Sequence, residues 1–418
     1  MPQIAAPRRP VIRAADAPLR RHKPDYGLVL ISILLLVVGL IVVYAISPGL
    51  SAQHNVSENY YVLKQLTAIG LGIVAFGVMA TVPLQTWKTL QRPLLIAALV
   101  ATLIALILPV SPEYPAHRWI RFGGVSLQSV EIVKFALIIC LAAFLEKRMK
   151  TGTVGDFQTT LKPLAIVIAI TGVVVALLQK DLGSMAVIIA MFGAMLFVAG
   201  LPWIYVVKGG VLIAVLAAMI ILPFSYRRDR ITTFLNPQAD CQSTGYQACQ
   251  ALIAVGSGGL FGRGLANSGQ AYGYLPEAAN DSIFAIVSEK FGFVGATLLV
   301  CMFFVLFTRM KNIMERAPDE FSRLIVVGVL AWLSTQAFIN IGAMIGLLPL
   351  KGITLPFISY GGTSVVFVTA AAGLVFNISR YTSFAVNNTT YSEREGNENL
   401  ANRGRQRRPY YSHPSRRP

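Results

Sequence analysis

Apolar residues in this chain come in long runs, and those runs restrict its fold more than any other feature. The first covers residues 27–47. Nine more follow at about 66–84, 93–110, 130–145, 163–178, 183–200, 203–224, 282–308, 322–347 and 356–378. A helix needs about 20 mainly apolar residues to cross the hydrocarbon of a bilayer, and backbone at that depth must find its hydrogen bonds within the protein. The pattern predicts an all-α, polytopic membrane protein with about ten transmembrane helices. Composition agrees: 55% of the residues are hydrophobic and 13% are charged, where a soluble chain would carry about a quarter charged residues. The first run is too long for a signal-peptide core and no small-residue cleavage site follows it, so it reads as a retained span.

Charge sets the expected orientation. The formal net charge of +17 lies largely in the tails and short loops. Lys88/Arg92, Lys147/Arg148/Lys150, Arg309/Lys311/Arg316 and both tails fall on one face of a ten-span arrangement, which makes that face cytoplasmic. The expected organisation is a disordered cytoplasmic tail over 1–25, a ten-helix membrane domain over 26–384, and a basic disordered cytoplasmic tail over 385–418. One long extracytoplasmic loop spans 225–281. The basic balance therefore reads as topology, not nucleic-acid binding. No internal repeat is evident, which disfavours an inverted-repeat transporter. Four cysteines are too few for a disulfide scaffold. Cys140 and Cys301 lie in apolar runs. Cys241 and Cys249 share the long loop and pair only if it faces an oxidising compartment, which spacing alone leaves open.

The polar chemistry gathers at the extracytoplasmic ends of the runs. Leu275–Gly295 holds an acidic, amide-rich turn (Glu277, Asn280, Asp281) that leads into an apolar segment carrying Glu289 and Lys290. Charges at such depth face a protein interior or a wet cavity. Asp281 is either a helix N-cap or a general base kept ionised by the helix dipole and nearby arginines. Arg118 precedes Glu131 and Lys134, an i, i+3 pair that forms a structural ion pair or offers cations to a phosphate-bearing headgroup. Asp181 caps the next helix or lines the same site. The long loop brings Arg227, Arg228 and Arg230, then Tyr246 and Gln247, then a glycine run, 256–264, that includes Arg263. Glycines permit the close backbone approach that phosphate cradles use, although this run matches neither a P-loop nor a dinucleotide fingerprint. Residues 346–362, with Lys351 and Ser359, hold two prolines and several glycines at a membrane edge, which suits a cavity floor. No cluster of metal ligands appears.

Taken together these stretches resemble the SEDS family (shape, elongation, division, sporulation), the ten-helix peptidoglycan glycosyltransferases that include FtsW and RodA. The resemblance runs from about Tyr26 to Arg380. It rests on RWI…GG…Q..E..K at 118–134, Q.DLG at 179–183, RR.R…FL.P at 227–237, GYQ and GSGGLFGRG at 245–264, YGYLPEA..D.IFAI at 272–286 and GLLP..GI.LPFISYGG at 346–362. The form of the 245–281 motifs and the long tails look more like the division branch than the elongation branch. The resemblance implies polymerisation of lipid II into glycan strands at the outer face of the bacterial cytoplasmic (inner) membrane, at the division septum, by inverting transfer with Asp281 as general base. It implies donor binding by Arg118, Glu131, Lys134 and Asp181. The further substrate-binding candidates are Arg227, Arg230, Tyr246, Gln247, Arg263, Glu277, Lys351 and Ser359. Expected partners are a class B penicillin-binding protein, a single-span transpeptidase, and other divisome membrane proteins. No cofactor is implied, with a divalent cation left open. The competing readings are a lipid II flippase, an elongation-type glycosyltransferase and a recruitment scaffold. The chain departs from the family pattern at Ser282, Lys180, Lys290 and Ser129–Val130, none of which removes the expected base.

Overall fold

The computed structural model describes residues 20–21, 23–109, 117–122, 125–221, 234, 236, 241–243, 245–265, 267 and 269–382. The tails before residue 20 and beyond 382, and the loop arginines Arg227, Arg228 and Arg230, lie outside the described residues.

Among the described residues, each of the ten apolar runs lies on a helix over most of its length. In chain order these are α1 (Tyr26–His54), α2 (Tyr60–Thr81), α3 (Leu84–Ile107), α4 (Ser129–Thr151), α5 (Phe157–Leu178), α6 (Leu182–Val198), α7 (Trp203–Ile221), α9 (Ile283–Glu315), α10 (Glu320–Met344) and α11 (Gly362–Ile378); a shorter helix, α8 (Tyr246–Ser257), lies between α7 and α9. Among the described residues, six of them (α1, α2, α3, α5, α9, α10) are long and apolar enough to cross a membrane. Large apolar side chains such as Leu71, Leu99, Leu103 and Phe304 stand exposed on the outside of the bundle. Outward apolar surface on that scale is what lipid covers. The chain is a multi-pass membrane protein.

The all-α reading holds except for two short antiparallel pairings. β2 (Trp119–Phe122) and β3 (Val125–Gln128) form a hairpin ahead of α4, and β1 (Arg20–Arg21) pairs with β4 (Tyr381–Thr382). The second pairing joins the two ends of the described chain. Asp25 reinforces it: its carboxylate accepts the Leu28 amide to cap α1 (3.1 Å), its amide donates to the Ser379 hydroxyl (3.0 Å), and Arg309 lies 3.8 Å away. The start of α1, the end of α9 and the end of α11 therefore share one end of the bundle, and the start of α9 lies at the other.

Close helix approach depends on small residues, as expected where lipid gives no hydrophobic drive between helices. α11 is buried along nearly its whole length, and α2 crosses it at Gly373, where a Cβ would stand 2.6 Å from the Phe76 carbonyl oxygen. The run 356–378 is helical only from Gly362; Pro356–Gly361 forms a turn instead, as its proline and glycine favour. That irregular stretch is buried against α1, where a Cβ on Gly39 would meet the Ile358 carbonyl oxygen at 2.7 Å.

The apolar run at 282–308 is not one continuous helix. At Gly292 the backbone leaves helical geometry (φ 67°, ψ −166°). The glycine run of the long loop fills the break. Arg263 and Gly264 amides donate to the Glu289 and Lys290 carbonyls (2.9 and 3.1 Å), and Phe293 and Val294 amides donate to Gly259 and Leu260 (2.8 and 3.1 Å). A Cβ at Gly258 or Gly262 would overlap the Ser288 or Lys290 carbonyl. Gly258 and Gly262 thus serve backbone-to-backbone packing on α9.

Candidate active site

The turn that carries Asp281 is folded by its own residues. Asn280 and Ser282 amides donate to the Glu277 carbonyl (2.9 and 3.2 Å), and the Ser282 hydroxyl donates to the Pro276 carbonyl (3.0 Å). Glu277 adopts a left-handed conformation (φ 51°), which costs a non-glycine residue about 1–3 kcal/mol and persists where its surroundings enforce it. Ser282 occupies the N-cap position of α9. Asp281 thus stands one residue ahead of the cap, close to the positive end of the helix dipole.

Neighbouring elements then clamp that turn. Asn340 of α10 donates its amide hydrogens to the carbonyls of Asp281 and Ile353, both at 2.7 Å. The Ser359 hydroxyl donates to the Asn280 carbonyl (2.6 Å) and accepts the Leu355 amide (2.7 Å), while the Tyr360 amide donates to Ala279 (2.8 Å). Ser359 is buried by these contacts. On the other side, Gln247 of α8 donates to the Ser282 hydroxyl at 3.1 Å.

A cavity of about 310 Å³ opens beside Asp281. Its polar lining is Arg118, Gln247, Glu277, Asp281 and Lys351, and its apolar lining includes Phe234, Leu252, Leu348 and Leu350. Arg118 is aimed by the peptide before α6: its Nε donates to the Gln179 carbonyl at 2.8 Å and its Nη2 to the Lys180 carbonyl. Lys180 itself holds a left-handed conformation (φ 54°). A Cβ on Gly352 would lie 3.5 Å from Asp281 Oδ2 and 3.9 Å from Arg118 Nη1, so carboxylate and guanidinium flank that glycine. Residues from five separate stretches of chain meet here: 118, 234, 247–252, 277–281 and 343–352.

Lys134 and Glu131 lie elsewhere. They form a buried ion pair (2.8 Å) outside the cavity lining, and Lys134 Nζ also donates to Gln336 Oε1 (3.1 Å) and sits 4.6 Å from the Trp332 ring centre. Gln336 is shared further: it accepts from Trp332 Nε1 (2.7 Å) and donates to the Thr354 carbonyl (2.9 Å). Asp181 caps α6, accepting the Ser184 amide (3.0 Å) and hydroxyl (2.9 Å). Arg263 is exposed on the glycine run, with Nε bonded to the Ser257 carbonyl (3.1 Å). Tyr246 begins α8, adjoining Gln247, and is half-buried. The membrane-depth charges Glu289 and Lys290 bind main chain of the same loop. Glu289 Oε1 accepts the Gly269 and Gln270 amides (3.1 and 3.2 Å), and Lys290 Nζ donates to the Leu265 carbonyl (2.6 Å). Asn340 and Gln336 were not singled out from the sequence. Two amides spaced i, i+4 in an otherwise apolar helix were the available signal, because such a pair must face protein.

Comparison with known proteins agrees with this architecture. The family described as "Cell cycle protein", that of FtsW, RodA and SpoVE, matches residues 26–384. Stage V sporulation protein E of Bacillus subtilis (strain 168) is 38% identical over 367 residues, covering 87% of this chain and 99% of that protein. The probable peptidoglycan glycosyltransferase FtsW of Coxiella burnetii is 38% identical over 363 residues, covering 85% and 96%. A solved structure described as "Structural coordination of polymerization and crosslinking by a peptidoglycan synthase complex" superposes with a TM-score of 0.69 at 24% identity, covering 85% of this chain and 98% of that one. RodA of Thermus thermophilus superposes at 0.61, also at 24% identity, covering 85% and 97%. The fold is thus that of a RodA-like polytopic membrane protein. The chain belongs to the FtsW/RodA/SpoVE family.

Proposed function

We propose that this protein is a peptidoglycan glycosyltransferase that polymerises lipid II at the outer face of the bacterial cytoplasmic membrane during cell division. One observation carries the mechanism: the Asp281 carboxylate and the Arg118 guanidinium flank Gly352 at the wall of one cavity. In an inverting transfer the acceptor sugar hydroxyl attacks the anomeric carbon of the donor. The bond from that carbon to the diphosphate oxygen breaks with its electron pair, polyprenyl diphosphate leaves, and the acceptor proton passes to Asp281. Arg118 and Lys351 supply fixed positive charge where the diphosphate develops negative charge. Arg227 and Arg230 are assigned to the anionic headgroup. Glu277 and Gln247 contact the sugar-bearing part of the substrate, and Tyr246 and Arg263 border its entry. In this reading Ser359 and Asp181 act through the backbone they hold, and Glu131 and Lys134 act through Gln336, which binds the Thr354 carbonyl, not by touching substrate.

Several observations support the membrane face and the partner. The cavity lies at the end of the bundle opposite Asp25, Arg309 and Ser379, and the charge bias makes that latter end cytoplasmic. Both tails then lie in the cytoplasm. Relatives of this chain include proteins named FtsW, and a neighbour in fold comes from a complex that couples polymerization with crosslinking. A class B penicillin-binding protein is therefore assigned as partner, with other divisome membrane proteins, at the septum of the inner membrane.

The test is glycan polymerisation from labelled lipid II by the purified protein with its co-purified transpeptidase. Wild type should make polymer. Asp281→Asn, with unchanged thermal melting, should lose about 10²–10⁴-fold in rate. Equal polymer from both would move the base to another residue, Glu277 first. Transport of lipid II without polymer from either would make the protein a flippase.

A further inference from the structure

The long loop contains a disulfide that the glycosyltransfer chemistry does not use. Cys241 and Cys249 are bonded across a sequence separation of 8, and Cys249 is buried in α8. That bond brackets the segment that builds one wall of the cavity. Between the two sulfurs lie Gly245, Tyr246 and Gln247, and Gln247 lines the cavity while donating to Ser282, the residue next to Asp281. One turn beyond Cys249, Leu252 lines the same wall. α8 has 12 residues, and its N-cap residue is Gly245, which has no side chain to cap the first turn. A helix this short is marginal by itself, and its first turn frays first. Gln247 stands in that turn.

We propose that the Cys241–Cys249 disulfide is a positioning element of the active site, holding the first turn of α8 so that Gln247 stays on Ser282. The cavity is then fully competent only in the oxidised protein, which ties the activity to an oxidising outer compartment. Closing the bond removes two electrons and two protons from the two thiols, and a thiol–disulfide oxidant of that compartment accepts them. Dithiothreitol reverses the step and ends as its own cyclic disulfide. Cys140 and Cys301 lie in α4 and α9 and remain thiols. Thiol labelling of the unfolded protein should therefore find two reactive cysteines before reduction and four after.

This inference rests on lipid II being the substrate, so binding and polymerisation are measured separately. The probe is labelled lipid II, given to the full-length protein in lipid nanodiscs with its transpeptidase. Samples are oxidised, reduced with dithiothreitol, and reoxidised with oxidised glutathione. Reduction should raise the apparent KM and the dissociation constant at least five-fold with kcat less affected, leave the melting temperature of the bundle within a few degrees, and be reversed by reoxidation. Gln247→Ala keeps the disulfide and should reproduce the weaker binding; reducing that variant should add nothing further. Equal affinity before and after reduction, or independent and additive losses from Gln247→Ala and reduction, would overturn the proposal. If lipid II binds in a redox-dependent way but no polymer forms, the positioning role stands and the glycosyltransferase reading fails. If reduction melts the bundle, the disulfide is a stability element and the proposal is wrong.

Discussion

Asn340 shows how one residue can control the site without touching substrate. Its two amide hydrogens bind the carbonyls of Asp281 and Ile353, fastening the turn that carries the proposed base to the loop that carries Lys351. Asn340→Ala leaves two carbonyls at the site without their donor, at about 1–3 kcal/mol for each that stays dry. It also frees Asp281 to shift, and displacements of about 1 Å at a reacting group can cost about 10²-fold in rate. The expected outcome is a fall in kcat of roughly one to two orders of magnitude with a smaller change in KM, read by polymerisation kinetics, alongside a modest fall in melting temperature. A change confined to KM would mean that Asn340 serves substrate binding instead. The Glu131–Lys134 pair makes the opposite demand at the same scale. Both ends are buried, and breaking such a pair from one side costs about 3–5 kcal/mol because the remaining charge has no compensation. Lys134→Met should therefore lower the melting temperature sharply, and Glu131→Gln in the same chain should recover part of that loss. Should the double variant regain full stability yet stay inactive, Lys134 would have a role in substrate binding that its place outside the cavity does not show.

At the scale of elements, the break in α9 organises the outer face. Gly292 holds a left-handed φ of 67°, and a Cβ there would overlap the Gly262 amide nitrogen and meet the Leu260 carbonyl oxygen at 2.5 Å. Gly292→Ala and Gly262→Ala should each destabilise the protein by at least about 2 kcal/mol. The two changes strike one contact, so their effects should fall short of additive, as thermal unfolding of the double variant would report. Additive losses would show that loop and helix are not coupled. The sequence did not reveal this joint. Residues 282–308 read as one apolar run, and a glycine inside such a run signals only a modest loss of helix propensity. The glycine run at 256–264 announced close backbone approach but not what approaches. By contrast, the helix positions were plain, because each hydrophobic run had to satisfy both lipid and its own backbone. Arg118, Lys351, Glu277 and Gln247 themselves were legible in the sequence as candidate site residues. Their convergence was not, since it depends on Ser359, Asn340 and the Lys180 peptide, whose contacts span long separations in the chain. The Ser359 hydroxyl joins the Asn280 carbonyl to the Leu355 amide, a contact no local pattern in the sequence announces.

At the scale of the whole molecule, the proposed function requires the cavity and the chain ends to lie on opposite sides of the bilayer. If lipid II is polymerised at the outer face, as proposed, Asp281 opens outward and the two ends of the described chain lie at the opposite side. β1 pairs with β4, and Asp25 is bonded to Ser379 and set near Arg309, so both ends of the described chain leave the bundle together. The charges agree, since a face carrying Lys147, Arg148, Lys150, Arg309 and Arg316 is retained in the cytoplasm during insertion. The disulfide adds an independent argument, because Cys241 and Cys249 lie at the cavity end and disulfides persist in oxidising compartments. Single cysteines placed in a background where the native four are replaced by serine should settle the arrangement. A thiol at position 412 or position 3 should resist a membrane-impermeant maleimide in intact spheroplasts and react after permeabilisation. A thiol at position 261, exposed on the glycine run beside the cavity end, should react without permeabilisation. The reverse pattern would turn the cavity to the cytoplasm and exclude polymerisation at the outer face. Labelling of one tail but not the other would be incompatible with the β1–β4 pairing, and would mean that the ends of the chain do not meet in the membrane.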